Sequence, residues 1–513
     1  MALSRPTVGV AEILPYAAQR APDDVALITG TRTLTYAQLD ALSDRVAAGL
    51  IDRGFTAGQV VSLFGPNSWQ WITAYHGILK AGCVVNPINV MLTGPELRYV
   101  LDDCSAAGLF LGPAEAARVA EHIADARPTL RVTLDAAFDE LLADAPDTHE
   151  TPAPRGPREA GSIGYTSGTT GHPKGAVQSL ESVLLNCAHT ATMHGKNERD
   201  VILSALPAAH VYGNVAINGT FLAGGTVVLM ERFDPAEALR LIERHRVTVF
   251  EGVPAMYSML LALPDIGGAD LSSIRVSTVG GQTFSTVVIE KWEKLTGAPL
   301  LELWGMTELS GLGTTHSVHA PPSPGSIGVS LPGLDIAIAP IDGSEGPVPP
   351  GVPGELIVRG PLVMLEYLGR PDATADALDA QGWLHTGDVA YLDESGHAFV
   401  IDRLKDMIIT AGYNVYPAEI ERVIAEHPDV AMVAVGRRAD EIKGELAVAY
   451  VVPRSDAQPD AAAILDFCSG RLAAYKRPRD VVFVESLPTT SSGKLLRRKL
   501  RDLDPVALGS TPV

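Results

Sequence analysis

Tyr165-Thr166-Ser167-Gly168-Thr169-Thr170-Gly171-His172-Pro173-Lys174-Gly175 packs three glycines, four hydroxyls and one lysine into eleven residues. Glycines let a backbone bend and bring its N–H groups close to a ligand, while hydroxyls and an ammonium add donors; this is the composition of a phosphate cradle. It is not the Walker loop, which needs Gly-x-x-x-x-Gly-Lys followed by Ser or Thr. Here His172-Pro173 separate Gly171 from Lys174, and Gly175 follows the lysine. A Ser/Thr/Gly cluster is also the composition of a mobile surface loop. The apolar approach Ser162-Ile163-Gly164-Tyr165 and exit Ala176-Val177 argue instead for a strand hairpin that holds the loop rigidly.

Working outward, 513 residues exceed what one hydrophobic core organises, so at least two domains are expected. Forty basic against sixty acidic side chains give a formal charge of −20, which argues against a nucleic-acid surface or a generally basic membrane face and implies solubility. Lys476-Arg477-Pro478-Arg479 and Lys494-Leu495-Leu496-Arg497-Arg498-Lys499 are local basic patches within that acidic whole. Cys83, Cys104, Cys187 and Cys468 stand far apart, without Cys-x-x-Cys or zinc-spaced histidines, so neither a metal site nor a disulfide framework is expected. The first residues lack the apolar run of a signal peptide and no stretch approaches membrane-spanning length, which suggests a reducing, cytoplasmic setting.

Taken in order, Leu39, Leu42, Val46 and Leu50 recur at helical spacing, with Thr35 as N-cap, Gln38 in the capping-box position and Gly54 as terminator. Val60–Phe64 reads as a buried strand, Cys83–Asn86 as another, and Thr93 with Glu96 opens a second helix before the strand Gly108–Leu111. Alternation of this kind predicts an α/β sheet with helical cover. Residues 143–160 read as an exposed linker. The alternation resumes with strands at 201–206, 226–229 and 247–250 around a helix from Pro235 to His245. Ligands of open α/β sheets collect beyond the carboxyl ends of strands. Thr166, His210, Gly280-Gly281 and Trp304-Gly305 each follow such a strand, which makes one shared site plausible. After about residue 320, short alternating strands such as Gly354–Arg359 suggest a β-rich subdomain closing the large domain. A small α+β domain follows a boundary near Arg403-Leu404-Lys405-Asp406; the division predicted is 1–404 and 405–513.

The loop resembles the signature of the adenylate-forming superfamily, which includes acyl-CoA synthetases, luciferases and the adenylation domains of peptide synthetases. The resemblance extends in order through Gly280-Gly281, Trp304-Gly305-Met306-Thr307-Glu308, Gly354-Glu355-Leu356, Tyr367, Trp383-Leu384-His385-Thr386-Gly387-Asp388, Asp402-Arg403-Leu404-Lys405-Asp406, Gly412-Tyr413-Asn414-Val415-Tyr416-Pro417 and Ser492-Gly493-Lys494. It implies joining a carboxylate to the α-phosphate of ATP with loss of pyrophosphate, then transfer of the acyl group to a thiol. By this resemblance Thr166, Ser167, Gly168, Thr169, Thr170, Gly171 and Lys174 hold the outer phosphates. Thr166 and Glu308 also hold Mg²⁺ as hard oxygen ligands. Gly281, Gln282, Glu302, Leu303, Trp304, Gly305, Met306 and Thr307 surround the nucleotide, with Trp304 stacking on adenine where tyrosine is common. Asp388 and Arg403 reach the ribose, and Lys405 is the hinge. Lys494 enters from the small domain to stabilise charge in the first half-reaction, and is withdrawn when that domain rotates for the second. Gly412 and Tyr413 line the thiol tunnel, and Lys476 with Arg477 meets the phosphates of coenzyme A.

Read alone, several of these residues have plainer roles: Glu308 a solvated acid, Asp388 a turn residue, Arg403 a surface charge, Lys494 an exposed lysine, His210 a hydrogen-bonded core residue. By the resemblance His210 lies beside the acyl pocket and shifts between half-reactions; no base is needed, because a carboxylic acid is already ionised at neutral pH. The pocket implied comprises His210, Val211, Tyr212, Asn214, Val253, Gly280, Gly281, Gln282 and the backbone around Gly305. Ala208-Ala209 would widen it, while Gln282 would shorten it or bind a polar group. These segments lack an arginine, which argues against a dicarboxylate. The reading is therefore an acyl-CoA synthetase using ATP, Mg²⁺ and coenzyme A on a fatty or aryl acid. The rivals are a stand-alone enzyme loading a carrier protein and a non-catalytic nucleotide sensor, and a homodimer is left open.

Overall fold

In the computed structural model the described residues are 9–30, 32–147, 152, 155–166, 173–282, 284–341, 344, 348–411, 413–440, 442–454, 457, 459–488 and 495–505. The helix expected after Thr35 runs over Tyr36–Asp52, and both halves of its capping box form. Thr35 Oγ1 accepts from Gln38 N at 3.3 Å, and Gln38 Oε1 accepts from Thr35 N at 3.0 Å. A cap of this kind satisfies amide donors that a helix start leaves open and contributes on the order of 1 kcal/mol. The second box also forms, at Gly94–Asp103: the Glu96 carboxylate takes both the N–H and the hydroxyl of Thr93.

Contacts divide the chain into Met1–Ile336 with Val358–His385, and Ala337–Ile357 with Thr386–Val513. The first unit carries two sheets. One has nine strands in the order Val329–Ser330, Gly311–Thr315, Leu300–Met306, Val276–Gly280, Val249–Gly252, Val201–Ser204, Thr226–Leu229, Val25–Ile28, Thr33–Thr35. From Leu300–Met306 through to Val25–Ile28 the pairing is parallel, with Leu27 opposite Val227. The other sheet has seven strands, in the order Glu366–Tyr367, Lys174–Ser179, Ala160–Thr166, Val84–Ile88, Val60–Phe64, Gly108–Leu111, Leu130–Thr133. Parallel strands covered by helices are apolar nearly throughout, as Val61 and Leu63 illustrate, and they build the main core with Leu39, Val46 and Leu50 of the capped helix.

Several strands are displaced from their sequence-predicted limits. That expected at 247–250 lies at Val249–Gly252, and that at 201–206 ends at Ser204. In the small domain the sequence pattern suggests a helix near Ala461 to Ala473 and a strand at Val430 to Val435; the helix stops at Ser469, whereas the strand continues to Asp440. Paired partners fix strand ends, and a partner strand is not written in the local pattern.

The second unit contains a five-stranded sheet. Tyr413–Val415, Ile408–Thr410, Gly444–Pro453 and Val430–Asp440 lie in that order, and Asp480–Phe483 pairs parallel to Gly444–Pro453. Helices Pro417–Ala425 and Ala461–Ser469 bury Ile420, Ile424, Ile464 and Cys468 on it. The division between units passes through Asp335–Ala339, Gly354–Arg359 and Leu384–Leu392, strands of a four-stranded sheet completed by Ala398–Arg403. The β-rich stretch is thus divided between the two units, whereas the sequence-predicted cut at 404/405 falls where Ala398–Arg403 gives way to the short 3₁₀ turn Leu404–Asp406.

Candidate functional site

The sequence-predicted site residues of the large unit fall into two sets. The first is built on the hairpin that the sequence suggested: Ala160–Thr166 pairs antiparallel with Lys174–Ser179, so Thr166 stands directly opposite Lys174 at its open end. Ser167, Gly168, Thr169, Thr170 and Gly171, between those ends, lie outside the described residues. The turn Thr307–Leu309 abuts this hairpin. A Cβ at Gly164 would come within 2.4 Å of Thr307 Cγ2, so only glycine admits the contact, and Gln178 Nε2 donates to Thr307 O at 2.8 Å. Glu308 is thereby carried to the hairpin, buried rather than solvated. Its Oε1 accepts from the Tyr367 hydroxyl at 2.7 Å, and Met364 N donates to Glu308 O at 2.7 Å. Ser310 follows at φ +59, a left-handed conformation unusual for a side-chain-bearing residue, and its hydroxyl is pinned to Ser182 at 2.8 Å. Lys174 Nζ lies 5.1 Å from the centre of the Tyr367 ring, and burial beside Glu308 pushes the Tyr367 phenol far above its ordinary pKa.

The same end of the hairpin is braced by residues distant in sequence. Tyr165 OH donates to Asp103 at 2.7 Å, Arg370 pairs with the other oxygen of Asp103 at 2.7 Å, and Tyr99 OH donates to Pro173 O at 3.3 Å. Asp103, Arg370 and Tyr99 were not singled out from the sequence. Lone polar residues at the ends of amphipathic helices and turns carry no signal of this kind until the partners meet.

The second set lines the carboxyl ends of the parallel strands, as expected. Gly252 pairs in register with Val279, and Gly280 with Leu303, which brings Val253, Gly280-Gly281 and Trp304-Gly305 to one edge. Gly280 is required there, since a Cβ would fall 2.1 Å from Leu303 Cδ1, and Gly281 turns away at φ +92. Trp304 is buried against Gly313, while Gly305, Gln282 and Gly281 are exposed; Met306 and Leu303 flank them. Glu302 is half-buried, and burial pushes its carboxyl up to about 7 against one hydrogen bond from Gly325 N at 3.1 Å.

His210 is an exposed N-cap rather than a core residue. Its Nδ1 accepts from Tyr212 N at 3.3 Å at the start of helix Val211–Ala223, which assigns the proton of a neutral ring to Nε2. Val211 is partly exposed beside it, but Tyr212 is buried, with its hydroxyl bonded to Thr278 Oγ1 at 2.6 Å. Asn214 Oδ1 accepts from Tyr75 OH at 3.2 Å and from Asn218 at 3.0 Å. These two side chains fasten the helix to its neighbours. Ala208 belongs to the main core and Ala209 packs against it, so their small size serves packing there.

In the small unit Asp388 and Arg403 are register partners across a hairpin and form an ion pair, Nε to Oδ1 at 2.6 Å, with Asp388 buried. Lys405 is exposed in the turn after Arg403. Tyr413 is exposed and stacks on Tyr475 with ring centres 4.7 Å apart. Lys476 is ion-paired to Glu419 at 2.8 Å, and Arg477 donates to Leu472 O at 2.9 Å, so a phosphate bound at either would have to compete with these partners. Gly412 and Lys494 lie outside the described residues.

Among the described residues there is no cluster of three or more His, Cys, Asp or Glu suited to a metal, and no helix is long and apolar enough to cross a membrane. The AMP-binding enzyme family matches residues 14–368, and the AMP-binding enzyme C-terminal domain matches 419–494. Feruloyl-CoA synthase of an Amycolatopsis species is 39% identical over 490 residues, spanning 94% of this chain and 96% of that enzyme. The fatty acid–[acyl-carrier-protein] ligase ScoC of Streptomyces coeruleorubidus is 36% identical over 493 residues, spanning 94% of each. Among solved structures, ATP-bound MatB from Rhodopseudomonas palustris superposes with a TM-score of 0.90 at 30% identity, covering 96% of this chain and 99% of that one.

Proposed function

The chain belongs to the AMP-binding enzyme family, and from that premise we propose how its residues divide the work of an ATP-dependent acyl-CoA synthetase. The enzyme activates a carboxylic acid with ATP, releasing pyrophosphate, and passes the acyl group to coenzyme A, releasing AMP. The observation that carries the assignment of roles is the buried Glu308 carboxylate, held by the Tyr367 hydroxyl against the hairpin that ends in Thr166 and Lys174. A phenol orients a carboxylate without neutralising it, so the charge stays available to a cation.

That donor set fits Mg²⁺, which takes one or two protein oxygens and completes its shell with water and phosphate oxygens. Thr166 and Glu308 would hold it, and when bound it offsets phosphate charge during attack on the α-phosphate. The chain's own residues do the rest. Lys174 and the loop 167–171 bind the outer phosphates, Trp304 packs against adenine, and Asp388 accepts from the ribose hydroxyls with Arg403 beside it. Lys494 stabilises the negative charge shared by carboxylate and α-phosphate. His210, Val253, Gly280 and Gly305 orient the acid, whose class is fatty or aryl. The cut at 404/405 is a mechanical one, with Lys405 as the hinge about which the small domain exchanges its two working positions.

Coenzyme A is the thiol acceptor; the likeness to ScoC keeps a carrier protein as the second reading. A cytoplasmic setting and a homodimer belong to the same proposal, the first supported by four buried free cysteines. The test is acid-dependent release of AMP and pyrophosphate over fatty, aryl and dicarboxylic acids, with and without coenzyme A. AMP accompanied by a thioester upholds the reading. Adenylate formed without consumption of coenzyme A turns it toward a carrier protein, and no turnover with any acid sinks it.

A further inference from the structure

The acyl pocket proposed above has a floor that adenylation does not use. Along a strand, alternate side chains share a face. Glu251 stands in register with Thr278 on one side and Ser204 on the other. Two residues onward on the same face come Val253 and Gly280, at the pocket rim. Glu251 and Thr278 therefore form the layer next beneath it, about 7 Å down.

Helix Val211–Ala223 covers this layer. Tyr212 closes it over Thr278, hydroxyl to hydroxyl at 2.6 Å. Lys196 threads its ammonium between helix and sheet, donating to Ala216 O at 3.0 Å and Thr220 Oγ1 at 3.2 Å, and meets Glu251 Oε1 at 2.5 Å. The two charged side chains are 0% and 1% exposed. Among the described residues no hydrogen-bond donor besides that ammonium serves the Glu251 carboxylate.

We propose that the Lys196–Glu251 pair ends the acyl pocket after roughly one ring's depth, so that the substrate is a compact aromatic or short-chain acid and a long alkyl tail is excluded. The inference rests on the synthetase reading and narrows its choice between fatty and aryl acids. A tail running on between helix and sheet would have to part the two charges or lie against them without compensating polar contacts. Separating a buried ion pair in apolar surroundings is strongly unfavourable. A ring that stops above Tyr212, beside Val253 and Gly280, leaves the pair untouched.

The test uses the full chain and acid-dependent AMP release with coenzyme A, across straight-chain acids from butanoate to hexadecanoate and a set of benzoate, phenylacetate and cinnamate acids. The best compact acid should exceed dodecanoate in kcat/KM by at least about a hundredfold. Lys196→Met combined with Glu251→Leu removes both charges at similar volume, and should narrow that ratio to about tenfold or less. Circular dichroism establishes that the double variant is folded; if it is not, the wild-type series decides alone. Equal use of dodecanoate by the wild type overturns the proposal, as does an unchanged ratio in a folded double variant. An absence of AMP release with every acid instead overturns the synthetase reading beneath it.

Discussion

Glu308 and Glu302 of the large unit and the carboxylate of the Asp388 hairpin are held in opposite ways. Asp388 meets a guanidinium across its own ladder, an ion pair set by the register of two neighbouring strands. Glu308 is oriented by a phenol, and Glu302 by a single peptide N–H. Asp388 is therefore paired with a cation before any ligand arrives, whereas Glu308 is oriented by a neutral donor, as the cation site proposed for it requires. Other large-unit carboxylates meet cations as Asp388 does: Asp200 takes two Arg275 nitrogens at 2.7 and 2.6 Å, and Glu251 takes Lys196.

The largest effect that bears on this contrast is expected from Lys494→Ala, which removes the cation that the small domain would bring. Adenylate formation should fall by about a thousandfold while thiolysis of supplied acyl-adenylate continues. Equal loss of both half-reactions would remove the role assigned to it. Glu308→Gln should slow adenylation by about a hundredfold and raise the Mg²⁺ concentration needed for half-maximal rate. Pyrophosphate release titrated with Mg²⁺ measures both, and a variant within a few-fold of wild type would erase the contrast with Asp388.

Asp388→Asn should raise the KM for ATP about tenfold. Combining it with Arg403→Met should add less than the two single losses together, because the pair acts as a unit; strict additivity would mean that the register pairing has no functional weight. A further effect is expected on stability. Glu302 titrates at about 7 in the folded chain and near 4.5 as an ordinary carboxyl. Between these values the native state holds a proton that the unfolded state has released, so stability falls as pH rises through the window and stays lower above it. Glu302→Gln should therefore stabilise by about 3 kcal/mol at pH 8 and by nothing near pH 4. A gain of equal size at both pH values, read by denaturant melts, would assign the effect to packing.

Local signals in the sequence were sufficient where the chemistry is local. Thr35 with Gln38 and Thr93 with Glu96 specify helix starts through contacts three residues apart, and the hairpin around the Gly-rich stretch is announced by its flanking apolar runs. Motif residues Thr166, Glu308 and Tyr367 were legible as a set, but that Tyr367 orients Glu308 is visible only in three dimensions. What escaped reading is non-local. Asp103 and Arg370 meet across 267 positions. Lys196 and Glu251 are ordinary charges in sequence and become a sealed pair only when helix Val211–Ala223 lies on the sheet. The grouping of 337–357 with the C-terminal region depends on strand pairing that composition does not encode.

The register of Leu27 with Val227 also sets a timetable. Val25–Ile28 leaves the ribosome two hundred residues before the strand it must join, since 227 minus 27 is 200. At ordinary rates of synthesis this apolar segment waits roughly 10–40 s for its partner. Until then the edge of the nine-stranded sheet does not exist. The nascent chain therefore spends much of its synthesis with this strand covered by Thr33–Thr35 on one side and unpaired on the other, and slower translation ahead of residue 226 would raise the yield of aggregate before any change in the finished enzyme could be measured.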